Sequence, residues 1–441
     1  MQYLFERRKA LGGFVPSRTM RAQPIETPAL GDYAEFLKDA GDRAFSTTQS
    51  FVRFFTKLVG DKKVGKLLVP IVPDESRTFG MDPLFRKIGI YSHAGQLYQP
   101  VDSEELSYYR EAKDGQLLEE GITEAGSMAS FIAAGTAHSA HGVNMMPFYI
   151  YYSMFGFQRI GDMVWCAADA RTKGFMLGAT AGRTTLGGEG LQHQDGHSHL
   201  LSSSFPTVRS YDPAYQYEIA VIILDGMRRM YQEQEDCMYY ITLQNEAYRH
   251  PAMLEGIERG IVKGMYKLHH KSAGEGRPQV QLLGSGALLR EAIRAQEILA
   301  EKYQVSSNVW SVTSYTELSR EAQSVERWNL LHPLEAQRQS YLSEVLTGEE
   351  GPFISTSDNV RAVAKQIDAY VPGGLYALGT DGLGRSENRA PLRRHFEVDA
   401  ECVVVASLAQ LVERGQFDRQ QLAQAIQDLG IDPEKADPLT A

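Results

Sequence analysis

Short apolar stretches alternate with helix-like stretches through most of this 441-residue chain. That alternation restricts the fold more than any other feature. "STTQSFVRFFTKLV" reads as a helix capped by Ser46 or Thr47, with Phe51, Phe54, Phe55 and Leu58 on one face. "KLLVPIVPDE" reads as a short strand ending at Asp74 and Glu75, and "ITEAGSMASFIAAGTAHSA" as a buried helix of small residues. "MPFYIYYSMF" is a strand, "SYDPAYQYEIAVIILDGMRRMYQ" a helix with Asp212 as N-cap and Pro213 in its first turn, and "CMYYITLQNE" a strand again. A second alternation begins near residue 259. "PQVQLLGSGALLREAIRAQEILAEKYQVSSNVWSVTS" spells strand, Gly-rich turn, helix, strand; "PFISTSD" and "LYALGTDGLG" add strands, and "DAECVVVASLAQLVERG" a helix ending at Gly415. Strands separated by helices pair in parallel and are covered on both faces. The expectation is an α/β protein of two domains, 45–258 and 259–441, each a mainly parallel sheet covered by helices. Residues 1–44, with Pro16, Pro24 and Pro28, form a peripheral lead-in with one helical pattern around Tyr33, Phe36 and Leu37.

Composition removes several function classes. A formal net charge of −10 disfavours binding to nucleic-acid phosphates. Cys166, Cys237 and Cys402 are far apart and odd in number, so neither a disulfide framework nor a cysteine zinc site is expected, and a reducing cytoplasm fits. No apolar run is long enough to span a bilayer, and "MQYLFERRKALGG" lacks the apolar core of a signal peptide, so no membrane association is expected.

Five stretches are candidates for chemistry. "GGEGLQHQDGHSHL" places His193, His197 and His199 beside Glu189 and Asp195. The i, i+4 spacing of His193 and His197 would suit a metal on a helix, but Gly187, Gly188, Gly190 and Gly196 argue against a helix. A catalytic loop, a polar structural loop and a metal site all remain open; the glycines would let backbone pass close to a ligand. Asp74, Glu75, Ser76 and Arg77 lie at the carboxyl end of a strand, where α/β sheets bind ligands, although taken alone a helix cap or an ion pair is the favoured reading. Glu124 opens the small-residue helix. It is either a capping group or a carboxylate whose pKa apolar walls would raise. In "YIYYSMFGFQRIGD", Tyr152 and Phe155 could stack on a flat heterocycle or simply fill a core. "LLGSGALLREA" lacks a full phosphate-binding pattern, so close packing of its turn is expected.

Taken together, "PDESRTFGM", "YSMFGFQRIGD", "GRTTLGGEGLQHQDGHSH", "YDPAYQYE", "VTSYTEL", "ERWNLLHP" and "LGTDGLGRSENRAPLRRHFEVD" resemble the homodimeric bacterial type of pyruvate dehydrogenase. That enzyme is the thiamine-diphosphate-dependent decarboxylase of its complex. The resemblance implies a transketolase-like architecture, with 45–258 as the pyrimidine-binding domain and 259–441 as the C-terminal domain. The family holds Mg²⁺ and the diphosphate through a Gly-Asp-Gly triplet in a further domain. This chain has no such triplet; the nearest, Asp225-Gly226 followed by Asn245, falls late in an expected helix.

By that resemblance Glu124 matches the glutamate that hydrogen-bonds the aminopyrimidine ring and activates the cofactor, and Phe155 the ring that stacks on it. Tyr152, Glu75, Glu189 and His193 match polar groups around the substrate, while His197 and His199 support the loop. The implied reaction is decarboxylation of pyruvate and reductive acetylation of a lipoyl group on the dihydrolipoyl acetyltransferase partner. The implied partners also include a diphosphate-binding half, without which this chain is inactive, and further copies in a homo-oligomer. The helix after Glu124 and the helix from Tyr215 to Leu224 are the expected dimer-packing elements. A non-catalytic interaction subunit of the same fold and a histidine-loop metalloprotein are the competing readings.

Overall fold

The computed structural model describes residues 1–13, 20–73, 76–101, 109–187 and 189–441. Six parallel strands form one sheet, in the spatial order Leu118–Glu119, Leu68–Val72, Met146–Tyr151, Phe175–Ala179, Met238–Leu243 and Val208–Tyr211. Its four central strands are buried at every residue, because helices cover both faces. A second sheet has five strands, in the order Met265–Lys271, Ser306–Val312, Gln279–Gly284, Phe353–Thr356 and Leu375–Leu378. Only its edge strand, Met265–Lys271, runs antiparallel to its neighbour. The α/β class and the two mainly parallel sheets agree with the sequence reading. The strands Phe175–Ala179 and Val208–Tyr211 escaped that reading. Phe175–Ala179 is short and, buried at every residue, shows no polar alternation; Val208–Tyr211 is four residues long, with half-buried Arg209 and buried Ser210 between its apolar ends.

The helix Thr47–Leu58 forms as its sequence dictates. Ser46 caps it, accepting from Gln49 N at 3.1 Å, while the Gln49 side chain accepts from Ser46 N at 3.0 Å. Phe51 and Phe55 then pack against Phe148 of the sheet. The lead-in is less peripheral than expected, since Tyr33 and Phe36 are buried against Phe54, with ring centroids 5.0 and 5.3 Å apart.

Two expectations are overturned along "SYDPAYQYEIAVIILDGM". The helix runs from Gln216 to Met227, and Asp212 does not cap it. The Glu218 carboxylate turns back instead to accept from Ala214 N and Tyr215 N, at 2.5 and 3.0 Å. Asp212 points inward, accepting from Thr242 Oγ1 at 2.7 Å and Asn359 Nδ2 at 3.3 Å. Nor can this helix pack a dimer along Tyr215–Leu224, because those residues are already buried within the chain. Glu218 ties it to the second sheet, accepting from Tyr266 Oη at 2.6 Å and Ser311 Oγ at 2.7 Å. The helix Glu124–Gly135 is buried only along Ser127, Met128, Phe131, Ala134 and Gly135; Ala125, Ala129 and Ala133 face outward.

Two buried histidines make stability depend on pH. Gln216 N donates to His250 Nδ1 at 3.0 Å, and His250 Nε2 meets the Phe45 carbonyl at 2.9 Å. His199 Nε2 lies 2.9 Å from Thr242 Oγ1. Burial lowers both imidazoles from 6.5 to about 4. The unfolded chain therefore takes up protons that the folded chain refuses, and stability present above pH 6.5 is lost as pH falls toward 4. Asp212 has the opposite sign. Burial raises its carboxyl from 3.8 to about 6, so its contribution declines as pH rises through that window. Burial raises the Glu218 carboxyl as well, but it also lowers the imidazoles of His138, His269 and His395, so the histidines outweigh the two carboxyls. At pH 5 each histidine costs on the order of 1–2 kcal/mol. Melting followed by circular dichroism should give a lower Tm at pH 5 than at pH 7.5; an equal or higher value at pH 5 contradicts this account.

Candidate active site

Two segments meet beyond the carboxyl ends of the first sheet's strands. After the strand Met146–Tyr151 the chain makes one 3-10 turn, Ser153–Phe155, and enters the helix Phe157–Asp169. The second segment follows the strand Phe175–Ala179 and carries the histidines. It is pinned to the second domain on both sides of Glu189 and His193. Asp358 accepts from Thr184 N, Thr184 Oγ1 and Thr185 N at 2.7, 2.8 and 2.8 Å. Arg183 donates to the carbonyls of Thr380 and Gly382. Further on, Val360 N donates to Gly196 O at 2.7 Å, and Arg385 N to Gln194 Oε1 at 2.7 Å.

Two glycines of this segment, Gly182 and Gly196, serve that docking. A Cβ on Gly182, whose φ is +97°, would stand 2.5 Å from Asp358 Oδ2, and one on Gly196 3.0 Å from Thr380 Oγ1. At Gly182 and Gly196 the close approach is made to the neighbouring domain. The segment is also less irregular than its glycines suggest: Leu191–His193 forms a 3-10 turn and Ser198–Ser202 a short helix.

The aromatic and imidazole rings gather into one cluster. The His193 ring lies 5.2 Å from that of Tyr152 and 5.4 Å from that of Phe155; Tyr152 and Phe155 meet edge to face at 6.1 Å. Buried Phe79, which the sequence reading did not single out, backs Tyr152 at 5.2 Å. His193 Nδ1 is buried, has no hydrogen-bond partner among the described residues, and lies 3.6 Å from Glu189 Oε2.

Glu124 reaches the same cluster through Arg159. It opens its helix after Thr123, whose Oγ1 accepts from Gly126 N at 3.1 Å. Its Oε1 accepts from Arg159 Nη1 at 2.9 Å, and the Arg159 guanidinium lies 4.0 Å from the centroid of the Phe155 ring. Of the two readings left open for Glu124, apolar walls alone do not hold, since the carboxylate has a cation beside it. Arg159 was missed, although its position four residues beyond Phe155 at the start of a helix was a usable signal. Of the expected site residues, Glu124, Tyr152, Phe155, Glu189 and His193 are thus brought together. Asp74 and Glu75 lie outside the described residues.

The other two histidines face elsewhere. His197 Nε2 is 2.7 Å from Gln158 Nε2, and its Nδ1 is 3.5 Å from Asp195 Oδ1. His199 is buried against Thr242 and Tyr240. The three rings do not converge, and among the described residues no group of three or more His, Cys, Asp or Glu side chains could hold a metal. That speaks against a histidine-loop metal site. Asp225 of the Asp-Gly pair lies within the helix Gln216–Met227, paired with Arg228 at 2.6 Å. The turn "GSGA" packs on the first domain, with Ala287 N donating to Gln244 Oε1 at 2.6 Å. No helix among the described residues is long and apolar enough to cross a membrane.

Comparison with known proteins agrees with the fold. Residues 25–251 match the pyruvate dehydrogenase E1 component middle domain, and residues 264–399 the transketolase-like C-terminal domain. The chain is 54% identical over 439 residues to the pyruvate dehydrogenase E1 component of Pseudomonas aeruginosa, covering 99% of this chain and 50% of that protein. It is 51% identical over 442 residues to the one of Escherichia coli K12, covering 100% of this chain and 49% of that protein. The chain thus spans about half the length of the curated relatives it matches. Among solved structures, transketolase from Leishmania mexicana superposes with a TM-score of 0.65 at 16% identity, over 88% of this chain and 48% of its own. A split-gene transketolase, described as an inactive β4 tetramer, superposes with a TM-score of 0.54 at 14% identity, over 83% of this chain and 98% of its own. These distant likenesses speak for the fold alone. With the middle-domain match covering more than half of its residues, the chain belongs to the pyruvate dehydrogenase E1 component family, of which it carries the middle and C-terminal domains.

Proposed function

We propose that this chain provides the pyrimidine-binding half of a thiamine-diphosphate site in a pyruvate dehydrogenase (acetyl-transferring). The observation that carries the reading is the cluster of Glu124, Tyr152, Phe155, Glu189 and His193 at the carboxyl end of a parallel sheet, in a chain of this family. The residues suit the pyrimidine end of the cofactor. Phe155 already carries a planar cation against its ring, Glu124 is a hydrogen-bonding carboxylate beside that cation, and His193 Nδ1 is a buried polar atom in want of a partner. When bound, thiamine diphosphate supplies a carbon nucleophile for the pyruvate carbonyl and an electron sink for decarboxylation.

The chain's own groups do the rest. Phe155 offers a face to a flat heterocycle. Glu124 holds or passes a proton at a ring nitrogen, and its Oε1, 2.9 Å from Arg159 Nη1, is kept in place by that cation. His193 directs a hydrogen bond at the substrate oxygen where charge develops, with Glu189 orienting the imidazole; Tyr152, and Glu75 by its match to the family, complete the polar lining. In this reading the acetyl group passes to a lipoyl group on the dihydrolipoyl acetyltransferase.

Mg²⁺ and the diphosphate are assigned to a diphosphate-binding half, in a separate chain or in a further segment of the same polypeptide. The chain has no Gly-Asp-Gly triplet, and its nearest candidate, Asp225, is engaged by Arg228. Alone, the chain should neither decarboxylate pyruvate nor bind the cofactor tightly. Calorimetric titration with thiamine diphosphate and Mg²⁺ checks this, and micromolar binding by the chain alone would reverse the assignment.

A further inference from the structure

The rings of the site sit on two segments that are distant in sequence, and one buried carboxylate joins them. Asp195 is 3% exposed. Its Oδ1 accepts from His197 N at 3.0 Å and Ser198 N at 3.1 Å, which fixes the histidine segment just beyond His193. Its Oδ2 accepts from Ser153 Oγ. Ser153 is fully buried in the turn that carries Tyr152 and Phe155, and its hydroxyl also lies 2.9 Å from Tyr240 Oη on the strand Met238–Leu243. Ser198 Oγ donates back to Ser153 O at 3.4 Å. Burial works against the ionised form of Asp195, yet the neighbouring His197 ring and the Ser153, Ser198 and His197 donors hold its carboxyl below the usual carboxylate range.

We propose that Asp195 and Ser153 are positioning residues that set the distance between the His193 imidazole and the Tyr152–Phe155 ring pair. The proposal rests on the reading of the site given above and adds residues to it. A capping role alone would need only the two amide bonds to Oδ1; the bond to Ser153 runs sideways, into the turn that bears the rings. Gln194, next in sequence, anchors the same segment to the second domain through Arg385 N at 2.7 Å. Two consecutive side chains thus tie one segment to two bodies, and His193 precedes them directly. Without the Asp195–Ser153 bond the segment keeps its hold on the second domain, and only the long Ser198 Oγ–Ser153 O bond and the exposed Gln158–His197 contact still tie it to the ring-bearing side, so it can shift relative to the rings. Displacements of about 1 Å at a reacting group cost about a hundredfold in rate.

Ser153→Ala removes the bond with little change in volume. The first measurement is hydrogen–deuterium exchange on this chain. Amides of residues 190–198 and 153–157 should exchange about tenfold faster than in the parent, with the helix Gln216–Met227 unchanged. The second is turnover by the enzyme assembled with a diphosphate-binding half, well below its Tm. There Ser153→Ala should lower kcat about tenfold or more while the KM for pyruvate moves less than about threefold, and Asp195→Asn, which keeps an acceptor for the two amides, should retain more activity than Asp195→Ala. A merely structural role would lower Tm and leave kcat alone. Parental exchange in both segments, or parental kcat for Ser153→Ala beside a crippled His193→Ala, overturns the positioning role and leaves the site reading intact. Parental kcat for His193→Ala overturns the site reading itself, and the exchange result still decides whether the bond holds the segment.

Discussion

Glu124→Gln should lower the turnover of the assembled enzyme by about a hundredfold or more, the scale of a lost general acid–base group, while the fold survives. The amide keeps the shape of the carboxylate and can still accept from Arg159, whose Nη1 is 2.9 Å from Glu124 Oε1. What it cannot do is hold a charge or share a proton with a ring nitrogen. Stability should respond little: the Glu124 side chain is 12% exposed, but Arg159 is 48% exposed, so the charge of the pair is screened and contributes about 0–1 kcal/mol, and the amide keeps the hydrogen bond. The measurements are kcat for pyruvate and the Tm by circular dichroism. Turnover near the parent rate would remove Glu124 from the role assigned to it, and a large drop in Tm would mark it as structural.

The second large effect separates two histidines six residues apart. His193→Ala should cost about a hundredfold in kcat, as loss of a single aimed donor does, with little change in Tm. Its ring is 25% exposed and its Nδ1 makes no hydrogen bond among the described residues, so truncation orphans no partner. His199→Ala should do the reverse. His199 is 4% exposed and its Nε2 meets Thr242 Oγ1, which itself donates to Asp212. Removal leaves a cavity and loosens that network, at about 2–3 kcal/mol. Comparing kcat and Tm for the two variants, with metal content of the parent, decides the matter. Equal losses of Tm together with stoichiometric metal would restore the metalloprotein reading.

The sequence by itself determined the fold class and the cast of the candidate site. Strand and helix periods are local properties of the chain, so the helix Thr47–Leu58 with its Ser46 cap, the unit from Gln279 to Val312 and the helix Ala400–Glu413 could be read directly. The long motifs singled out Tyr152, Phe155, Glu189 and His193 by their match to a family, and Glu124, outside those motifs, was matched at the start of the small-residue helix. Only the tertiary structure decided how these residues are surrounded. Asp212 and Glu218 carry the same functional group six residues apart, yet one lies buried against Thr242 and Asn359 while the other caps a helix and bonds to the second sheet. Local propensity favours Asp as the cap, but burial of the whole helix between the two sheets overrides it. The glycines at 182 and 196 are visible in the sequence as freedom of the backbone. That the space beside them is filled by Asp358 and Thr380 depends on how the second domain docks, and the contact joins residues more than 150 positions apart. The pairing of Glu124 with Arg159 and the bond from Asp195 to Ser153 are likewise long-range. Hydrophobic patterning specifies which faces are buried; which polar groups then meet is set by the packing of those faces against one another.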